Sequence, residues 1–171
     1  KKRIFYGIRP CDMKALVLMR GFLLDEFADM PYKEKLEHST FIVLACNRLC
    51  SDDAFCCEMG AGPVAKEGFD LQLTAIGKGY IVDAGSKKGG EIARKNKKLF
   101  REARSSDEKE AVEMLRGLAR GCERIDSKKI AKIMKLDLIK PSIWDDIGLR
   151  CVVCSGCITL CPTCTCFSIA D

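Results

Sequence analysis

The sequence predicts an α/β fold: a small sheet with flanking helices, followed by a Cys-rich C-terminal module. Three observations predict it. Arg3–Ile8 (RIFYGI), a helical pattern and the β-branched apolar run Thr40–Cys46 (TFIVLAC) give strand, helix, strand, the opening of an α/β unit. Leu71–Ile76 and Tyr80–Asp83 are further short strands, with Lys78-Gly79 between them as a hairpin turn. From Cys151 onward the hydrophobic periodicity gives way to closely spaced cysteines. The division expected is residues 1–141 for the α/β domain and 142–171 for the module.

Each element has its own signal. Arg9-Pro10 is expected to stop the first strand. Asp12 then caps a helix from Met13 to about Phe27, with Met13, Leu16, Val17, Leu23 and Leu24 at helical spacing. Tyr32–Glu37 reads as a short polar helix or turn. Between Cys46 and Pro63 the pattern dissolves into Cys, Asp and Gly, a long loop of functional type. Residues 86–90 (SKKGG) read as a break before a charged, solvated helix over about Glu91–Arg104. Ser105 opens the next helix, with Ala111, Leu115, Leu118 and Cys122 on one stripe. Ser127 is expected to cap another, and Ser142–Leu149 to form one more. There is no internal repeat.

The chain has 171 residues, enough for a real core, with 47 % apolar and 31 % charged residues, a globular balance. No apolar run approaches the length of a membrane span. No secretory signal is visible, and the chain opens on Lys1 rather than Met, so it reads as a piece of a longer protein. Twelve cysteines are the dominant feature. Long helical patterns without an export signal argue against a disulfide scaffold and for thiolate metal ligation. A single histidine, His38, nearly excludes His-based zinc and bis-His haem; it reads as a surface residue. Soft sulfur ligands leave zinc or iron–sulfur clusters. The net charge of +5 does not require nucleic acid. A four-thiolate cubane carries roughly −2 when oxidised, so two would bring the sum to about +1.

Two cysteine constellations carry the chemistry. Cys151-x2-Cys154-x2-Cys157-x3-Cys161-Pro162 is the bacterial ferredoxin ligand run, pointing to a [4Fe–4S] site in a ferredoxin-like module. In two-cluster ferredoxins the fourth Cys serves the other cluster, so the partner run is expected beyond Asp171; Cys161, Cys164 or Cys166 completing a single site is the alternative. The second constellation is dispersed. Cys11 follows the first strand, Cys46 ends the second, and Cys50, Cys56 and Cys57 lie in the loop after it. If those strands are parallel neighbours, their C-terminal ends lie side by side, where α/β sheets hold ligands. Cys11 at a helix N-terminus is favoured as a thiolate. Gly60 and Gly62 let the backbone approach a cluster closely. A second cubane is therefore expected on Cys11, Cys46, Cys50 and Cys56, with Cys57 the rival of Cys56. Cys122 reads as a core residue, and Cys164 and Cys166 as packing around a cluster. Lys87-Lys88 and residues 94–98 read as solvated faces. There is no Walker loop, no Ser/His/Asp set and no catalytic acid/base pair that can be named, so a non-catalytic role is expected.

Several motifs resemble one family. Arg9-Pro10-Cys11-Asp12, Phe55-Cys56 with residues 59–63 (MGAGP), Phe69-Asp70-Leu71, residues 85–89 (GSKKG) and the Cys151–Cys166 stretch with Cys161-Pro162-Thr163-Cys164 are similar to the iron–sulfur (beta) subunit of cytoplasmic sulfhydrogenases and to the iron–sulfur subunit of anaerobic sulfite reductase. The resemblance spans nearly the whole chain. It implies an electron-carrying cytoplasmic subunit of anaerobes, holding several cubanes and working beside flavin-containing and catalytic subunits. The family often shows Cys-Phe-Cys where this chain has Ala54-Phe55-Cys56, and usually no Cys where Cys50 stands. The expected function is electron transfer within a redox complex. Its rivals are a sulfur-compound reductase with a catalytic cluster and a zinc-stabilised interaction module. No nucleic-acid partner and no membrane span are expected.

Overall fold

A computed structural model describes residues 1–26, 28–77, 79–122 and 125–164 of the chain. The chain divides into two compact units, Lys1–Arg124 and Ile125–Asp171. The described residues are of mixed α/β class, with four strands and seven α-helices.

The first unit is built on one sheet of order β1-β2-β3-β4. Strands β1 (Arg3–Ile8), β2 (Ser39–Leu44) and β3 (Leu71–Ile76) run parallel, and β4 (Gly79–Ala84) returns antiparallel to β3. The β1–β2 ladder shifts register between Tyr6 and Ile8, with Gly7 between them at φ +84°. Helix α1 (Pro10–Leu24) crosses over between β1 and β2, followed by α2 (Met30–Glu37), whose N-terminus is capped by the Asp29 carboxylate accepting from the Tyr32 amide. The apolar core lies where α1 meets the sheet. Met13, Val43 and Ala65 are buried there, with Ile8, Leu16, Val17, Phe41 and Phe69 packed around them. Val43 sits mid-strand with no accessible surface, as the apolar β2 sequence requires.

Helix α1 begins three residues earlier than its sequence signals. Pro10 occupies the first turn instead of ending the strand, Arg9 is the N-cap residue, and Asp12 lies inside the helix. A proline has no amide to leave unsatisfied and its φ is preset for a first turn, so it starts a helix as readily as it stops a strand. Cys11 is thereby carried in the N-terminal turn.

The expected break at 86–90 is also helical. Helix α3 (Lys87–Lys95) starts at Ser86, whose hydroxyl accepts from the Gly89 amide, and residues 100–104 lie outside any helix. Gly89 stands against the sheet, where a Cβ would lie 1.8 Å from the Asp70 carbonyl oxygen. Only a glycine lets the helix pass there, so Gly89 marks close packing rather than a gap, while Gly90 faces open space.

Helix α4 (Ser105–Cys122) packs on β3 and β4. Its Glu110 carboxylate accepts from the Gly77 amide at the end of β3, at 2.8 Å. In the second unit, α5 (Ser127–Lys135) is capped by Asp126, not Ser127: the Asp126 carboxylate accepts from the Lys129 amide. Helices α6 (Pro141–Arg150) and α7 (Gly156–Leu160) follow. None of these three helices buries a residue, and Trp144, Ile147, Leu149, Val152 and Leu160 are exposed. Among the described residues no helix is long and apolar enough to cross a membrane. Phe27 and Cys166 lie outside the described residues.

Candidate metal centre

Parallel pairing of β1 and β2 sets the ends of both strands side by side, and each is followed by a cysteine. Cys11 lies in the first turn of α1, and Cys46 lies two residues past β2. The Cys46 amide donates to the Pro63 carbonyl, closing the long loop at its base. Inside the loop the Ala61 and Gly60 amides donate to the Cys56 and Cys57 carbonyls, folding the chain tightly around both residues. The C-terminal end of α4 packs on the same loop, with Gly121 set so closely that a Cβ would meet Leu49 at 3.1 Å.

That docking brings in a thiol which the helical stripe had marked as ordinary core. Cys122 is fully buried, as expected, but its Sγ lies 3.8 Å from the Cys56 Sγ. Cys56, Cys57 and Cys122 form a group whose sulfur atoms all lie within 4.8 Å of one another, the one such group of three His, Cys, Asp or Glu ligand atoms among the described residues. A cysteine on an apolar helical stripe looks the same whether it fills a core or faces a site. The only available signal was that the stripe ended on a thiol.

The remaining thiols of the first unit join this group electrostatically. Burial pushes the Cys46 thiol up; Arg9 pulls it back, and the neighbouring Cys11, Cys50 and Cys122 push it further up. Burial and Asp12 raise Cys11, amide hydrogen bonds at Asp12 and Cys11 oppose them, and Cys50 adds to the rise. Burial, then the hydrogen bond to Cys122, lifts Cys56 to about 11, with Cys46 also contributing. Cys57 is raised by burial and by the same Cys122 contact. Six cysteines from the α1 start, the β2 end, the loop and the α4 end are thus coupled in one region. Charge on one thiol disfavours charge on its neighbours, as expected of crowded thiols, while the Cys57 hydrogen bond pulls Cys56 the other way.

The pocket chemistry fits a thiolate-bound metal. All six donors are soft sulfur. Gly62 stands close against two of them, since a Cβ there would meet the Cys56 Sγ at 3.1 Å and the Cys57 Sγ at 3.9 Å. His38 plays no part: it is exposed, its ring Nδ1 2.9 Å from the Glu34 carbonyl oxygen.

In the second unit, Cys151, Cys154, Cys157 and Cys161 are all exposed. The chain turns around Cys154 by left-handed residues on both sides, Val153 at φ +52° and Ser155 at φ +58°. A β-branched residue adopts that conformation at a cost, a kind of strain concentrated at functional sites. Cys161 is held below the ordinary thiol range, first by the Thr163 hydroxyl, 3.1 Å from its Sγ, and then by the Thr163 and Cys164 amides. Donors aimed at a sulfur are what a cluster-bearing thiolate uses to set its potential.

Fold and thiols together define an α/β chain with two cysteine-rich regions suited to soft metal centres. Among known proteins it is similar to the Sulfhydrogenase 2 subunit beta of Pyrococcus furiosus, with 27 % identity over 172 residues, covering 99 % of this chain and 50 % of that protein. The chain therefore resembles the sulfhydrogenase beta-subunit family, as its motifs imply, and spans about half the length of that relative. No protein-family model and no solved structure matches it.

Proposed function

We propose that this chain is the electron-transfer iron–sulfur part of a multi-subunit anaerobic redox complex of the hydrogenase or sulfur/sulfite-reductase type. The carrying observation is the group of Cys56, Cys57 and Cys122 thiols within 4.8 Å of one another, with Cys11 and Cys46 just past the ends of the parallel strands β1 and β2, in a chain that also contains a complete ferredoxin ligand run. The likeness to a sulfhydrogenase subunit supports it. In this reading residues 1–141 hold a dispersed [4Fe–4S] site that draws on Cys11, Cys46, Cys50 and Cys56. Residues 142–171 form a ferredoxin-like module with Cys151, Cys154 and Cys157 on one cubane and Cys161 directed to another.

Bound clusters supply one-electron chemistry. The protein's share is to exclude water, fix the thiolates and tune potential. Partial burial of Cys46 and Cys56 serves this in the first unit. Donors from Thr163 and Cys164 do it at Cys161. Flavin-containing and catalytic subunits are the partners this role needs, and the cytoplasm is the compartment that keeps so many thiols reduced.

One observation favours a second reading. Zinc–sulfur bonds of about 2.3 Å in a tetrahedron set thiolates about 3.8 Å apart, the separation of Cys56 and Cys122. A zinc-stabilised interaction module would use them so. Protein purified without oxygen separates the two: iron with acid-labile sulfide and broad visible absorbance supports electron transfer, and colourless zinc protein supports the rival.

A further inference from the structure

The first unit holds more thiols than one cluster takes, and the geometry ranks them. Cys122 is fully buried with its sulfur 3.8 Å from that of Cys56 and within 4.8 Å of that of Cys57. Cys50 is exposed. We infer that Cys122, at the end of α4, rather than Cys50, is the fourth ligand of the first unit's iron–sulfur cluster, beside Cys11, Cys46 and Cys56. This rests on the iron–sulfur reading and deepens it.

The chemistry of burial supports the choice. A thiol on an apolar helix stripe normally packs against methyl groups and is inert. Cys122 instead meets two further thiols, a poor apolar contact made of soft-metal donors; binding a cluster, with each thiolate on its own iron, would move Cys56 and Cys122 apart from their present 3.8 Å. Gly121 seats the helix end against Leu49 of the loop, which holds the thiol in place before any cluster arrives. Cys56 is taken over Cys57 because the bare backbone of Gly62 stands closest to its sulfur: a Cβ there would meet the Cys56 Sγ at 3.1 Å and the Cys57 Sγ at 3.9 Å. As a ligand, Cys122 would clamp α4, the loop and the α1 start through one inorganic group. Cluster binding would then carry folding free energy for three elements at once.

The test uses the full-length protein, with its partner subunits, prepared without oxygen. Iron, acid-labile sulfide and zinc are counted, and EPR spectra of the dithionite-reduced form are recorded, for wild type, Cys122→Ala, Cys122→Ser, Cys50→Ala and Ala111→Gly. Ala111 is a buried residue of the same helix, so its glycine variant loosens α4 without removing a thiol. Cys122→Ala is expected to lose one cubane, about four iron and four sulfide, and one EPR signal, while Cys50→Ala and Ala111→Gly keep both. Cys122→Ser, with an oxygen in place of a sulfur ligand, is expected to shift the signal or lose it. Full iron and an unchanged spectrum in either Cys122 variant overturn the inference. So does equal iron loss in Ala111→Gly, which would trace the loss to the helix. If Cys122→Ala does not accumulate, the serine spectrum decides. Wild-type protein with zinc and no sulfide overturns the electron-transfer reading itself, a result distinct from an undiminished Cys122 variant.

Discussion

Asp70 ties more of the first unit together than any other polar residue described. Its side chain is almost wholly buried, and its oxygens accept from the Ser86 hydroxyl at 2.6 Å and the Phe41 amide at 2.9 Å, with the Lys88 ammonium 3.2 Å away. Its backbone adds a ladder bond on each side, to Phe41 and from Gly85. One carboxylate thus joins β2, the start of β3 and the start of α3. Asp70→Ala is expected to destabilise by about 3 kcal/mol, since it strands a buried amide and a hydroxyl together. Asp70→Asn should cost less, keeping an acceptor but losing the ion pair. Gly89→Ala should cost at least about 2 kcal/mol, because the added methyl must displace the Asp70 carbonyl. Urea unfolding monitored by circular dichroism checks all three; a Gly89→Ala protein as stable as wild type would contradict the described packing.

At the scale of elements, the helices differ in what holds them. Helix α1 is fixed by its apolar face, with Met13 and Ala15 buried. Helices α5, α6 and α7 bury nothing, so a cluster on the neighbouring thiols would supply much of their order. Stripping iron with a chelator is therefore expected to raise amide hydrogen exchange sharply over 151–161 and little over β2 and β3; equal change in both would contradict it. Cys11→Ser, at the α1 start, should lower both the iron count by about one cubane and the melting temperature. The strands were legible because apolar β-branched runs of this length have one good solution, and β2 and β3 lie within two residues of their sequence signals. Helix boundaries were not, at Pro10 and at Gly89, because each residue has two structural meanings that only the tertiary neighbour decides. The same ambiguity hid Cys122: its stripe placed it inside correctly, but nothing local distinguishes a thiol facing leucines from one facing cysteines. That Cys11 and Cys46 follow neighbouring strand ends was legible because β1 and β2 pair in parallel.

For the whole molecule, the central claim is that two cysteine-rich regions of one chain carry electrons through iron–sulfur clusters. The second unit exposes apolar side chains, Trp144, Ile147 and Leu149 among them. The net charge of +5 would balance bound anionic clusters, whose loss is then expected to leave a more basic and less stable protein. The most direct measurement is a count of iron, acid-labile sulfide and zinc on the full-length protein purified without oxygen, with EPR of its reduced form. The account predicts iron and sulfide in equal amounts, at least about eight of each per chain for two cubanes, and reducible spin signals. Stoichiometric zinc, no sulfide and no signal would contradict it.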